Sequence, residues 1–123
     1  MSALLEPRSY PVTRADLVAY AEASGDANPI HQDPEIARSV GLPDVIAHGM
    51  FTLALAARYV DEQVGAPGRI AELGAKFTRP VVVPEDGTEI TVAGTWRDER
   101  TIALEVTCAG EKVLGNPVAV LRG

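Results

Sequence analysis

Apolar and polar positions change their rhythm along this 123-residue chain, and the change divides helices near the front from strands behind. Residues 8–12 read as a short extended segment. Thr13 then opens a helix, with Asp16 three residues on completing the pattern of a capping box. Leu17, Tyr20 and Ala21 supply its apolar face, and Gly25 its C-terminal stop. Asp33-Pro34 predicts a second, short helix, with an acidic cap and proline at the first helical position, ending at Gly41 before Pro43. From Gly49 the run Met-Phe-Thr-Leu-Ala-Leu-Ala-Ala-Arg-Tyr-Val is apolar on nearly every face until Asp61. A helix apolar all round must be enclosed all round, and the expected enclosure is a curved sheet.

The second half reads as strands. Residues 70–83 are extended, interrupted by Pro80 and closed by Pro84, which marks an edge, a kink or a strand end. Ile90, Val92 and Trp96 alternate, and Ile102, Leu104, Val106 and Cys108 alternate more cleanly, with Arg97-Asp98-Glu99-Arg100 joining the two as a hairpin. Ala109-Gly110-Glu111 turns into a last strand, residues 113–121, where Pro117 implies a bulge or an exposed edge. The fold class is α+β, and the length suits one domain, 1–123, without repeats or linkers.

Composition narrows the function. An apolar fraction of 46% with 23% charged residues is an ordinary globular profile, and 5% aromatics leaves the core to aliphatic side chains. A net charge of −6 argues against nucleic-acid binding, which needs a positive face. Lys76, Arg79 and Arg97 read as solvated side chains or as contacts for a phosphate-bearing carrier. Cys108 is the only cysteine, so neither an internal disulfide nor a thiolate cluster is available. Residues 1–7 lack the basic start and apolar run of a signal peptide, and residues 49–60 are too short to span a bilayer. The expectation is a cytoplasmic protein without membrane contact.

The candidate chemistry lies in Gly25-Asp26-Ala27-Asn28-Pro29-Ile30-His31. Proline disfavours helix at the residue before it, so the chain bends between Asp26 and His31. Such a bend can aim a carboxylate and an imidazole at one water and move protons near neutral pH. The plainer reading makes Asp26 a turn-stabiliser and His31 a surface residue. In Ile46-Ala47-His48-Gly49-Met50, Gly49 leaves a bare N–H at the head of the long helix, where an oxygen gaining negative charge is stabilised; it also serves as a simple entry turn. His48 reads first as a hydrogen-bonding residue. Asp26, His31, Asp33 and His48 match no strong metal-ligand spacing, so no metal and no cofactor are expected. Serine-hydrolase, P-loop and dinucleotide motifs are missing from the sequence.

Tyr20-Ala-Glu-Ala-Ser-Gly-Asp-Ala-Asn-Pro-Ile-His-Gln-Asp followed by Ile46-Ala-His-Gly-Met resembles the MaoC-like hydratases and dehydratases, the R-specific enoyl-thioester hydratases of the hot-dog fold. Within them it is most similar to the small (3R)-hydroxyacyl-ACP dehydratase B-type subunits of actinobacterial type II fatty-acid synthesis. The likeness runs on through Phe77-Thr-Arg-Pro-Val to Pro84-Glu-Asp-Gly. It implies an antiparallel sheet wrapped around a long central apolar helix, with Asp26 and His31 as the catalytic dyad and Gly49 as oxyanion donor. Asn28, Pro29, Ile30, His48 and Met50 are candidate pocket residues. The implied substrate is an acyl-CoA or acyl-ACP thioester, and the implied partner a second copy or a related hot-dog subunit. Some relatives carry a serine on the central helix where this chain has Ala54-Leu55-Ala56-Ala57, which suggests a partner that completes the acyl tunnel. Alternative readings are an acyl-thioester hydrolase of the same fold, or a non-catalytic subunit of a heterodimer.

Overall fold

Thr13 and Asp16 close the expected capping box: the Thr13 hydroxyl accepts from the Asp16 N–H, and the Asp16 carboxylate accepts from the Thr13 N–H at 2.8 Å. This computed structural model describes residues 4–122. Residues 1–3, part of the N-terminal stretch read above, and residue 123, the end of the expected 1–123 domain, lie outside the described residues. Strand β1 (Arg8–Val12) leads into helix α1 (Arg14–Ser24), a 3₁₀ turn (Pro29–His31), α2 (Pro34–Ser39) and α3 (Gly49–Val64). Then follow β2 (Ile70–Phe77), β3 (Thr88–Trp96), β4 (Thr101–Cys108), β5 (Glu111–Lys112) and β6 (Leu114–Leu121). The α2 helix stops slightly before Gly41, with Val40 as its cap.

The strands form one antiparallel sheet in the order β1-β3-β4-β6-β2, with β5 paired to β4. The alternation read from β3 and β4 turns Ile90, Val92, Ile102, Leu104 and Val106 inward. Gly94 is buried under the helix, where a Cβ would fall 3.2 Å from the Tyr59 ring. The extended reading of residues 70–83 holds only to Phe77. Beyond Pro80 the chain leaves the sheet, and Val82 makes an isolated bridge to Ile46. Pro117 sits in a bulge rather than on an edge. Three steps from Gly115 to Val118 on β6 oppose two from Lys76 to Gly74 on β2, and β6 runs between β4 and β2.

One expectation is corrected. The α3 helix is not enclosed all round: Thr52, Ala56, Tyr59 and Val60 are buried against the sheet, whereas Met50, Ala54 and Arg58 are exposed. The sheet covers one side of the helix, and on another Tyr20 of α1 meets Phe51 edge-on, the ring centroids 5.6 Å apart, which leaves Met50, Ala54 and Arg58 in solvent. Strand β2 is similarly open, with β6 on one flank, no strand among the described residues on the other, and Phe77 57% exposed. No described helix is long and apolar enough to cross a membrane.

Candidate active site

Gly25 ends α1 in the left-handed region (φ 77°), a conformation that favours glycine, and turns the chain out of the helix toward Asp26. The bend is held by local hydrogen bonds. The Asp26 N–H donates to Ser24 Oγ at 3.2 Å, Asp26 Oδ1 accepts from the Asn28 N–H, and Asn28 Oδ1 accepts from the Ile30 N–H. Pro29 then starts the 3₁₀ turn that delivers His31. Asn28, Pro29 and Ile30, expected at the pocket, build this turn instead: the Asn28 amide bends back on its own segment, Pro29 faces solvent, and the Ile30 carbonyl accepts from the Ile46 N–H. None of the three lines the cavity beside Asp26.

That cavity, of about 380 Å³, is lined by Asp26, His31, His48, Gly49 and Met50. Tyr20, Ser24 and Phe77 complete it. Tyr20 belongs to the apolar face of α1 by spacing, yet only Leu17 and Ala21 of that face are buried in the core. Phe77 comes from the end of β2, and nothing local in its sequence marks it.

His31 is 7% exposed, and its Nδ1 lies 2.6 Å from the Ile46 carbonyl. A carbonyl only accepts, so Nδ1 carries the proton and, in the neutral ring, Nε2 keeps its lone pair. The Asp26 side chain is half-exposed. His48 is 3% exposed and stacks on His31, the ring centroids 3.7 Å apart. Its Nε2 donates to the Asp26 backbone carbonyl at 3.0 Å and lies 3.8 Å from Asp26 Oδ2, while Nδ1 is buried without a partner. Gly49 opens α3, and its N–H has no acceptor among the described residues. A base, a carboxylate and an unpaired N–H at a helix head therefore border one cavity.

The sequence matches the MaoC like domain over residues 2–113. The chain belongs to the MaoC-like domain family. It is 38% identical over 73 residues to 3-hydroxyacyl-thioester dehydratase X of Mycobacterium tuberculosis, an alignment covering 59% of this chain and 25% of that protein. A structure titled MaoC-like dehydratase superposes with a TM-score of 0.94 at 35% identity, over 99% of this chain and 40% of that one. The (R)-hydratase from A. caviae involved in PHA biosynthesis superposes with a TM-score of 0.82 at 25% identity, over 98% of this chain and 94% of that one. The chain thus spans a quarter of the first protein and two-fifths of the second. The hot-dog architecture, an antiparallel sheet packed on a central helix, is common to these structures.

Within this MaoC-like domain, Asp26, His31 and His48 each bring one potential metal ligand atom within 4.8 Å of the others. The donor set fits a metal poorly. Both His31 Nδ1 and His48 Nε2 already face carbonyl oxygens, and His48 Nδ1 is buried. Asp33 is turned away to cap α2. Arg79, read as a possible carrier contact, pairs with Glu111 at 3.3 Å. A second cavity of about 330 Å³ shares Gly49 and Phe77 with the first and is lined further by Thr52, Val81, Val113 and Leu114.

Proposed function

We propose that this chain is an R-specific hydro-lyase that interconverts trans-2-enoyl thioesters and (3R)-hydroxyacyl thioesters. The observation that carries the reading is the hydrogen bond from His31 Nδ1 to Ile46, which leaves Nε2 as the acceptor in a cavity shared with Asp26. In hydration, conjugation with the thioester carbonyl makes C3 electrophilic. His31 Nε2 takes a proton from water as its oxygen bonds C3, and the π electrons move onto the thioester oxygen. The Gly49 N–H stabilises that oxygen, with the positive end of α3 behind it. Asp26 fixes the same water and relays the proton to C2 on the same face, so water adds syn and the acid and base return to their starting states. Dehydration is the reverse. The step balances with water alone.

The second cavity supports the reading, since apolar side chains beyond Gly49 offer room for an acyl tail. A hydrolase mechanism finds less support: the acidic residues of α3, Asp61 and Glu62, stand toward its C-terminal end and do not line the cavity. The open face of α3 and the unpaired flank of β2 lead us to propose further that the working unit is a dimer, with a second copy or a related hot-dog subunit.

The test is a hydration assay of the purified chain with short and long trans-2-enoyl-CoA, followed by chiral analysis of the product. Loss of enoyl absorbance with formation of the 3R alcohol is expected. Release of free thiol, or a 3S product, would falsify the proposal.

A further inference from the structure

We propose that His48 is a positioning residue that sets the geometry between Asp26 and His31; this rests on the hydration reading above. Three observations meet at one imidazole. Its ring lies against His31 with the planes 20° apart, its Nε2–H donates to the Asp26 carbonyl, and its Nδ1 is buried with no partner.

The stranded Nδ1 separates positioning from packing. A phenyl ring would fill the same buried slot without leaving a polar atom unsatisfied, so burial alone favours phenylalanine there. What the imidazole adds is the Nε2–H. Ser24 and Asn28 hold Asp26 from within its own turn, whereas His48 grips it from the head of α3. The same ring backs His31 at 3.7 Å. Acid and base come from different points of a polar turn, and the His48 side chain touches both. Gly49 follows it directly in the chain, so the segment that holds the pair also carries the proposed oxyanion donor. A loss of this grip frees Asp26 to drift, and a misplacement of about 1 Å costs on the order of 100-fold in rate.

The experiment compares the wild-type chain with His48→Phe and His48→Gln. Phenylalanine keeps a stacked ring and loses the donor; glutamine keeps an N–H near the Nε2 position and loses the aromatic ring. The expected result is a fall in kcat of about 100-fold for His48→Phe with KM little changed, because the pair acts in the transition state. His48→Phe should melt no lower than wild type, and His48→Gln should recover a substantial part of kcat. Nitrogen-15 spectra of the free wild-type protein should give His48 as the Nε2–H tautomer, a reading independent of substrate. An inactive wild-type chain would overturn the hydration reading and this proposal with it. An active wild type beside an unimpaired His48→Phe, or a kcat loss that only follows lost folded protein, would overturn the positioning role alone.

Discussion

The ring of Phe77 lies over the bare Cα of Gly49: a methyl group there would fall 3.1 Å from Cε1 and 3.2 Å from Cδ1 and Cζ. Glycine at this place does more than free the helix N–H. It lets the aromatic ring lie against the head of α3, where Gly49 and Phe77 line both the cavity of Asp26 and His31 and the second cavity. We expect Phe77→Ala to join the two spaces and raise the ratio of kcat/KM for a long enoyl-CoA to that for crotonyl-CoA. Additional buried methylenes contribute about 0.8 kcal/mol each, so three newly sheltered groups would change the ratio by roughly 50-fold. Gly49→Ala should crowd the same ring and lower turnover on both substrates. An unchanged ratio in Phe77→Ala would remove the ring from chain-length selection.

Asp26→Asn and His31→Ala are expected to lose about 10²- to 10⁴-fold in kcat each, the range of general acid–base assistance. The two should fail for different reasons. The Asp26→Asn variant keeps the turn, since the amide oxygen it introduces can still accept from the Asn28 N–H now bonded to Oδ1. Removal of the imidazole of His31 also frees the Ile46 carbonyl, so some destabilisation should accompany that activity loss. Circular dichroism alongside kinetics separates the effects, and near-normal turnover in either folded variant would take that residue out of the mechanism.

The turn chemistry was legible because its causes are local. Thr13 and Asp16 cap one helix, Asp33 and Pro34 open another, and Gly25 stops α1, each through bonds within a few residues. Asp26 and His31 were legible for the same reason, as the two ends of a proline bend. Phe77 was not, because its place beside Gly49 depends on how β2 ends in a sheet whose order only tertiary packing sets. Asn28 misled because an amide able to reach into a pocket is equally able to bond Ile30 next to it, and the local bond formed. The open flank of α3 follows from the same limit: an apolar pattern records which faces are hydrophobic but not what each of them packs against.

Away from the cavity, Tyr10 donates its hydroxyl to Glu62 at 2.5 Å, and Arg58 lies over the Tyr10 ring. The hydroxyl, then Arg58 and Arg8, hold the Glu62 carboxyl below its ordinary value of 4.5 despite partial desolvation, while burial first and then Glu62 push the Tyr10 phenol upward. A depressed folded value means the folded state favours ionised Glu62. Its contribution is complete above 4.5 and fades as pH falls through the lowered value. Tyr10→Phe should therefore be less stable than wild type near neutrality, and the gap should narrow on acidification. Urea midpoints of both proteins across the acid range test this; a gap that stays constant would mean the Tyr10 hydroxyl does not act through Glu62.

The exposed side of α3 and the free flank of β2 carry the last prediction. Met50 of α3 and Phe77 at the end of β2 are both 57% exposed, and Leu53 and Leu55 of α3 are half-buried. An uncovered strand flank presents backbone donors and acceptors ready to pair, and the charges that usually blunt such flanks are few on β2, where Glu72 and Lys76 stand among Ala71, Leu73, Gly74 and Ala75. We expect sedimentation to give twice the mass of one chain. Leu73→Asp, a charge in the middle of that strand, should shift the population toward the single chain and lower hydration with it, since Phe77 of the same strand borders the cavity. A wild-type chain that sediments as a monomer while fully active would assign the open surfaces to something other than a partner of this fold.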